Sequence, residues 1–165
     1  MGLESLQFSL LLKHFPRPAK ILSLGYPDLL IKGEDLDKAG IEDPIEVPDA
    51  DKKRQWHGWD GPIFDTRYIF AKLGWTLTVL DFRPGPGVDM VMNLNNPPIP
   101  SWKQGYFDAL IDPGSLEHIF NIGAAWKFVL ERLRVAGLVH HVSPVNAVNH
   151  GFYSIGPGTY RDLYG

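Results

Sequence analysis

Residues 62–80 read Pro62-Ile-Phe-Asp-Thr-Arg-Tyr-Ile-Phe-Ala-Lys-Leu-Gly-Trp-Thr-Leu-Thr-Val-Leu80 and hold two different periods in one short run. Ile63, Ile69, Phe70 and Leu73 recur at helical spacing, and Pro62 suits a first helical turn, where the missing N–H costs no intrahelical bond. Gly74 then stops the helix, and Leu77-Thr-Val-Leu80 is an apolar run of strand type. A helix passing within a few residues into a short apolar strand is the unit of a parallel sheet, buried on both faces by its crossover helices.

The same unit recurs toward the C-terminus. Ile122, Trp126, Val129 and Leu133 fall on one helical face, Gly137 lies just beyond, and Leu138–Val142 is the next apolar run. Three further strands are expected at Ile21–Leu24, closed by Gly25 and Pro27, at Val88–Met92 and at Phe107–Ile111, each bounded by turn residues. A first helix is expected over residues 3–14, with Leu3, Leu6 and Leu10 on one face and Pro16 and Pro18 ending it. Residues 33–61 carry nine acids and four basic residues with little periodicity. They read as an irregular insertion holding one short helix near Glu34–Ala39.

The fold expected is α/β and Rossmann-like: a mainly parallel sheet of about five strands with helices on both faces. It is C-terminally short. Only residues 143–165 follow the fifth strand, enough for a short helix at Thr159–Leu163 but not for a further helix and two strands. The fifth strand should therefore be an edge, which invites a homodimer that covers it.

The totals narrow the function. A chain of 165 residues with 44% apolar side chains fills one core, so one domain is expected over 1–165. Sixteen basic against nineteen acidic side chains give a net charge of −3, which supplies no broad cationic surface for nucleic acid. The absence of cysteine removes disulfides, thiolate nucleophiles and thiolate zinc sites. The apolar run Phe8–Leu12 is too short to span a bilayer, so a cytoplasmic location without a membrane partner is the expectation.

In a doubly wound sheet, ligands sit beyond the carboxyl ends of the strands where strand order reverses. The candidate site residues are therefore those just after each strand: Gly25 and Tyr26, then Asp81 and Phe82, then Asn93, then Asp112 and His118. Asp112 is a candidate catalytic carboxylate, able to take or orient a proton, although Asp-Pro-Gly is also an ordinary turn signal. Glu117 and His118 make either an acid/base pair or the start of a helix, and a histidine exchanges protons near neutrality. His140, His141 and His150 do not read as a metal cluster, because adjacent strand residues point to opposite faces, and no metal is expected. Trp56, His57, Trp59 and Asp60 suit a lid or a loop anchored by its tryptophans. Asn149–Tyr153 either reaches a substrate or leads into the final helix.

Taken in order, these pieces resemble a class I S-adenosylmethionine-dependent methyltransferase. Lys20–Gly25 resembles that family's first strand and loop, Leu77–Asp81 its second strand with a terminal acid, and Val88–Asn95 its third. Phe107–His118, with its Leu-Glu-His ending, is similar to the fourth strand and the segment after it, and Leu133–Val139 to the turn into the fifth. The segments Ile21–Asp28, Trp56-His57, Ile111–His118 and Asn149–Tyr153 together also resemble a less characterised bacterial branch of methyltransferase-like proteins.

The resemblance implies S-adenosylmethionine as cofactor and a small-molecule substrate. It implies that Asp81 receives the ribose hydroxyls, that the Gly25 turn faces the methionine part, and that Asp112 stands near the methyl carbon. The loop departs from the family's acid-x-Gly-x-Gly-x-Gly, with Ser23, Pro27 and Leu29 replacing the acid and two of the glycines. A non-catalytic binding or scaffold protein that keeps the fold and has lost cofactor binding is therefore an alternative. Another nucleotide- or sugar-handling enzyme is a second, while the missing Gly-x-Gly-x-x-Gly speaks against a dinucleotide dehydrogenase.

Overall fold

The computed structural model describes residues 2–47, 59–98 and 104–165. Its centre is a five-stranded sheet, every pair parallel, built from β2 (Ala19–Leu24), β4 (Trp75–Asp81), β5 (Met90–Val91), β6 (Phe107–Asp112) and β7 (Leu133–His141) in the order β5-β4-β2-β6-β7. A two-stranded parallel ribbon pairs β1 (Gly2–Glu4) with β3 (Asp28–Leu30). The helices are α1 (Ser5–His14), α2 (Gly33–Ala39), α3 (Thr66–Lys72), α4 (Ile122–Arg132) and α5 (Pro157–Tyr164), with a 3-10 turn at Leu116–His118. This is the Rossmann-like α/β architecture. Among the described residues, no helix is long and apolar enough to cross a membrane.

Strand alternation divides the core into two layers. Ile21, Leu77, Val79, Ala109 and Ile111 face one side, where they pack with Phe8 and Leu11 of α1 and Ile69 and Phe70 of α3. Leu22, Leu24, Leu80 and Leu110 face the other, against Ala125, Phe128 and Val129 of α4. Full burial of such side chains contributes about 1.5–3 kcal/mol each before the entropy of ordering them is subtracted.

Two expected helices begin later than their patterns suggest. Leu3 is buried in β1 rather than on a helix, and α1 turns Phe8 and Leu11 inward while Leu6 and Leu10 face solvent. The leucine spacing therefore marked the wrong face: pairing with β3 takes residues 2–4 out of the helix and resets its phase. In α3 the first turn is set not by Pro62 but by Asp65, whose side chain accepts from the Tyr68 N–H at 3.0 Å. Residues 45–47 and 63–65 instead run antiparallel, with Val47 N donating to Ile63 O and Asp65 N to Ile45 O, both at 2.8 Å. Residues 45–47 are thus tied to the segment that leads into α3, and Trp56 and His57 lie outside the described residues.

α4 ends at Arg132, and Leu133 already pairs with Phe107. The chain then bulges around Ala136, at φ 59°, before rejoining the ladder at Leu138. β7 lies at one edge of the sheet, with Val135 and Leu138 exposed on it.

Candidate functional site

Strand order reverses between β2 and β6, and a cavity of about 340 Å³ opens beyond the carboxyl ends of β2, β4, β5 and β6. Its walls come from four exits. Leu24 and Gly25 follow β2, Asp81 and Phe82 follow β4, Asn93 and its neighbours follow β5, and Gly114, Ser115 and His118 follow β6.

The exits of β2, β4 and β6 are fastened to one another at Gly25. Its φ of +87° favours glycine, and a Cβ there would stand 3.3 Å from Ser115 Oγ and 3.8 Å from Asp81 Oδ2. Gly25 N donates to Leu80 O at 2.7 Å, Ser115 Oγ donates to Leu24 O at 2.5 Å, and the buried Ser23 hydroxyl donates to Gly25 O at 2.7 Å. Ser23, standing where the resembled family carries an acid, thus closes the turn on itself. Asp81 Oδ1 accepts from Arg83 N at 3.0 Å, an Asx turn that fixes the carboxylate at the cavity wall. Asn93 Oδ1 caps its own turn by accepting from Asn95 N at 3.0 Å.

The sequence candidates divide accordingly. Gly25, Asp81, Phe82, Asn93 and His118 share the cavity. Tyr26 turns away to pack against the first core layer beside Gly87, and burial, with Asp65 nearby, raises its phenol above the ordinary range. After Tyr26 the chain enters β3, not a helix: Pro27 O accepts from Thr66 Oγ1 at 2.8 Å, and Leu29 is fully buried.

Asp112 is fully buried behind the wall. Its Oδ1 accepts from the backbone N–H groups of Gly114, Ser115 and Leu116 at 3.3, 2.8 and 3.4 Å. Its Oδ2 pairs with His141 Nδ1 at 2.9 Å, and His141 Nε2 pairs with Tyr164 Oη at 2.8 Å. Tyr160 stacks on His141, with ring centroids 4.3 Å apart, and reaches Ser143 Oγ at 2.8 Å. Partial burial, then the charge environment of Tyr160 and Asp112, raises the Tyr164 phenol, so it keeps its proton. The Asp112 carboxylate accepts from the Nδ1–H of His141. Through this relay the C-terminal helix is fastened to the turn that carries Ser115 and His118.

At the same turn, Glu117, His118 and His150 converge, with one ligand-type atom of each within 4.8 Å of the others. Glu117 Oε1 lies 3.5 Å from His150 Nε2 and 4.0 Å from His118 Nε2, and the two imidazoles meet edge to face at 4.8 Å. Asn149–Tyr153 docks onto this turn. Phe152 N donates to Glu117 O at 2.7 Å, Tyr153 Oη donates to Phe120 O at 2.6 Å, and a Cβ at Gly151 would stand 2.6 Å from Glu117 O. The sequence holds a sign of this in Gly151, a glycine at φ 67° beside a histidine, but it does not name the partner. His140 and His141 diverge as strand neighbours do, and neither joins His150 in this group.

No family model and no curated relative matches the chain. Among solved structures the chain is similar to 1,6-didemethyltoxoflavin-N1-methyltransferase of Burkholderia thailandensis, determined with bound 1,6-didemethyltoxoflavin and S-adenosylhomocysteine. The likeness has a TM-score of 0.42 and 18% identity over 77% of this chain, which spans 45% of the length of that one.

Proposed function

We propose that the strand-end cavity binds S-adenosylmethionine and that the chain transfers its methyl group to a small molecule. The observation that carries this reading is the meeting of Gly25, Asp81 and Ser115 at the point where strand order reverses. A cavity of about 340 Å³ lies within the usual range of small-molecule sites, about 300–1,000 Å³. The residues fit the ribose end of the cofactor. Asp81 stands where a carboxylate accepts from paired hydroxyls, and the absence of a Cβ at Gly25 lets a ligand approach the backbone. When bound, the cofactor supplies a methyl group made electrophilic by its sulfonium.

The chain's own residues then serve position more than bond making. Phe82, exposed at the mouth, covers one side of a bound ring. His118 lines the cavity on the β6 side and is the side chain placed to hold the acceptor. Asp112 acts through the turn it ties, holding Ser115 and His118 where they stand.

One observation favours a second reading, a non-catalytic binding or scaffold protein of this fold that has lost cofactor binding. Because β3 follows the first turn, the glycine loop does not lead into a helix whose N-terminus faces the ligand. Calorimetric titration with S-adenosylhomocysteine and S-adenosylmethionine separates the two. Micromolar binding upholds the cofactor site, and no heat at millimolar ligand removes it.

A further inference from the structure

We infer that Glu117, His118 and His150 form a binding site for a first-row divalent cation at the rim of the strand-end cavity. The first ground is chemical. Two imidazoles and one carboxylate are the ligand set that zinc, iron(II), manganese and cobalt accept, and three protein ligands leave coordination positions open for a further molecule.

The second ground is geometric. Ligand atoms about 2.0–2.2 Å from such an ion stand about 3.0–3.5 Å from one another. Glu117 Oε1 and His150 Nε2 are already 3.5 Å apart, His118 Nε2 is 4.0 Å from the same oxygen, and no pair exceeds 4.8 Å. Both imidazoles are partly exposed, 50% for His118 and 36% for His150, so neither is locked in place by packing on every side.

The third ground is an unmet demand inside the protein. Glu117 is fully buried, yet among the described residues neither of its carboxylate oxygens has a hydrogen-bond partner, and neither does His150 Nε2. A buried carboxylate without donors is expensive, and a cation is the occupant that satisfies it and both imidazoles together. The backbone holds the three in place: Glu117 O accepts from Phe152 N at 2.7 Å and Tyr153 N at 3.3 Å, which pins the loop carrying His150 to the turn carrying Glu117 and His118.

His118 belongs both to this group and to the cavity wall. A cation held there would stand beside the cavity and supply a Lewis acid to an oxygen-bearing acceptor. This role rests on the methyltransferase reading, whereas the site itself does not.

The test is a calorimetric and spectroscopic titration of the full chain, stripped with chelator and carrying no histidine tag, with zinc chloride and cobalt(II) chloride. One cation per chain with a micromolar Kd is expected, together with visible cobalt absorption from a low-symmetry nitrogen and oxygen site. Changes outside a metal's direct ligands already cost about 10–100-fold in affinity, so Glu117→Gln, His118→Ala and His150→Ala should each cost at least about tenfold. Thermal melts in chelator show that the variants are folded, and zinc should raise the melting temperature of the parent chain only.

Equal cation affinity in the parent and all three variants, or no cobalt spectrum, would overturn the site and leave Glu117 as the partner of a protonated His150. Cobalt binding without any binding of S-adenosylhomocysteine would uphold the site while removing the reading that gives it an acceptor.

Discussion

Two fully buried carboxylates leave the same strand end, and the protein treats them in opposite ways. Asp112 accepts from three backbone N–H groups and from His141, so its oxygens are fully engaged. Glu117, in the very next turn, is equally buried and has no hydrogen-bond donor among the described residues. Burial alone therefore does not separate a structural acid from one kept for a ligand. What separates them is whether the fold itself supplies the donors.

The largest effect expected from this contrast is on stability. Asp112→Ala leaves three amides and His141 without an acceptor inside the protein. Stranding buried donors costs about 1–3 kcal/mol each, so the loss should reach about 3–5 kcal/mol. At about 2–4 °C per kcal/mol for a chain of this size, the melting temperature should fall by roughly 10 °C or more. Glu117→Gln keeps the shape and removes no hydrogen bond, so in the presence of chelator its stability should stay within about 1 kcal/mol of the parent. Urea melts of both variants decide it: equal losses would erase the distinction.

A second contrast runs across the cavity, between the Asp81 wall and the His118 wall. Asp81→Ala should weaken S-adenosylhomocysteine binding at least about tenfold while leaving the unfolding transition in place, since hydrogen bonds to a charged acceptor contribute about 1.5–3 kcal/mol. Unchanged affinity in the variant would take Asp81 out of the site. Gly25→Ala acts on the fold as well as the ligand. Holding an L-residue at φ +87° costs about 1–2 kcal/mol, and the new methyl group would press on the Ser115 hydroxyl. A loss of affinity with no loss of stability would show that the close approach at Gly25 matters and its backbone conformation does not.

The parallel sheet was legible because its signal is local and repeated: β2, β4 and β6 are apolar runs, and Gly74 marks the exit from α3, whereas Gly137, read as the stop of the next helix, lies inside β7 because α4 already ends at Arg132. The cavity followed from that topology, and Gly25, Asp81, Phe82, Asn93 and His118 do converge on it. Two kinds of information were not local. Helix phase in α1 was decided by the pairing of residues 2–4 with 28–30, a contact that periodicity within residues 3–14 does not contain. The grouping of His150 with Glu117 and His118 depends on how the segment after β7 folds back, which rests on two backbone hydrogen bonds and a glycine at 151. Considering His150 only with the two strand histidines overlooked that return.

The smallest expected effect concerns those strand histidines, which differ as the two acids do. His141 has both ring nitrogens hydrogen-bonded, to Asp112 and Tyr164, while among the described residues the buried Nε2 of His140 has no partner. Burial, with the neighbouring His141 adding to it and Asp112 opposing it, lowers the His140 pKa from its ordinary value of 6.5. A histidine with a depressed folded-state pKa takes up its proton later on acidification than it does in the unfolded chain. Between those two values the unfolded state binds more protons, so stability rises with pH there. The contribution of His140 should be complete above about pH 6.5, decline as the pH falls below that value, and level off under the folded-state pKa. In His140→Leu the group that titrates is gone, so the curve of unfolding free energy between pH 7 and pH 5 should be shallower than the parent's by that amount. Urea melts at half-unit steps across this range measure the difference. Parallel curves for the two chains would mean that His140 charges as readily in the folded protein as in the unfolded one, and the contrast with His141 would then lie in hydrogen bonding alone.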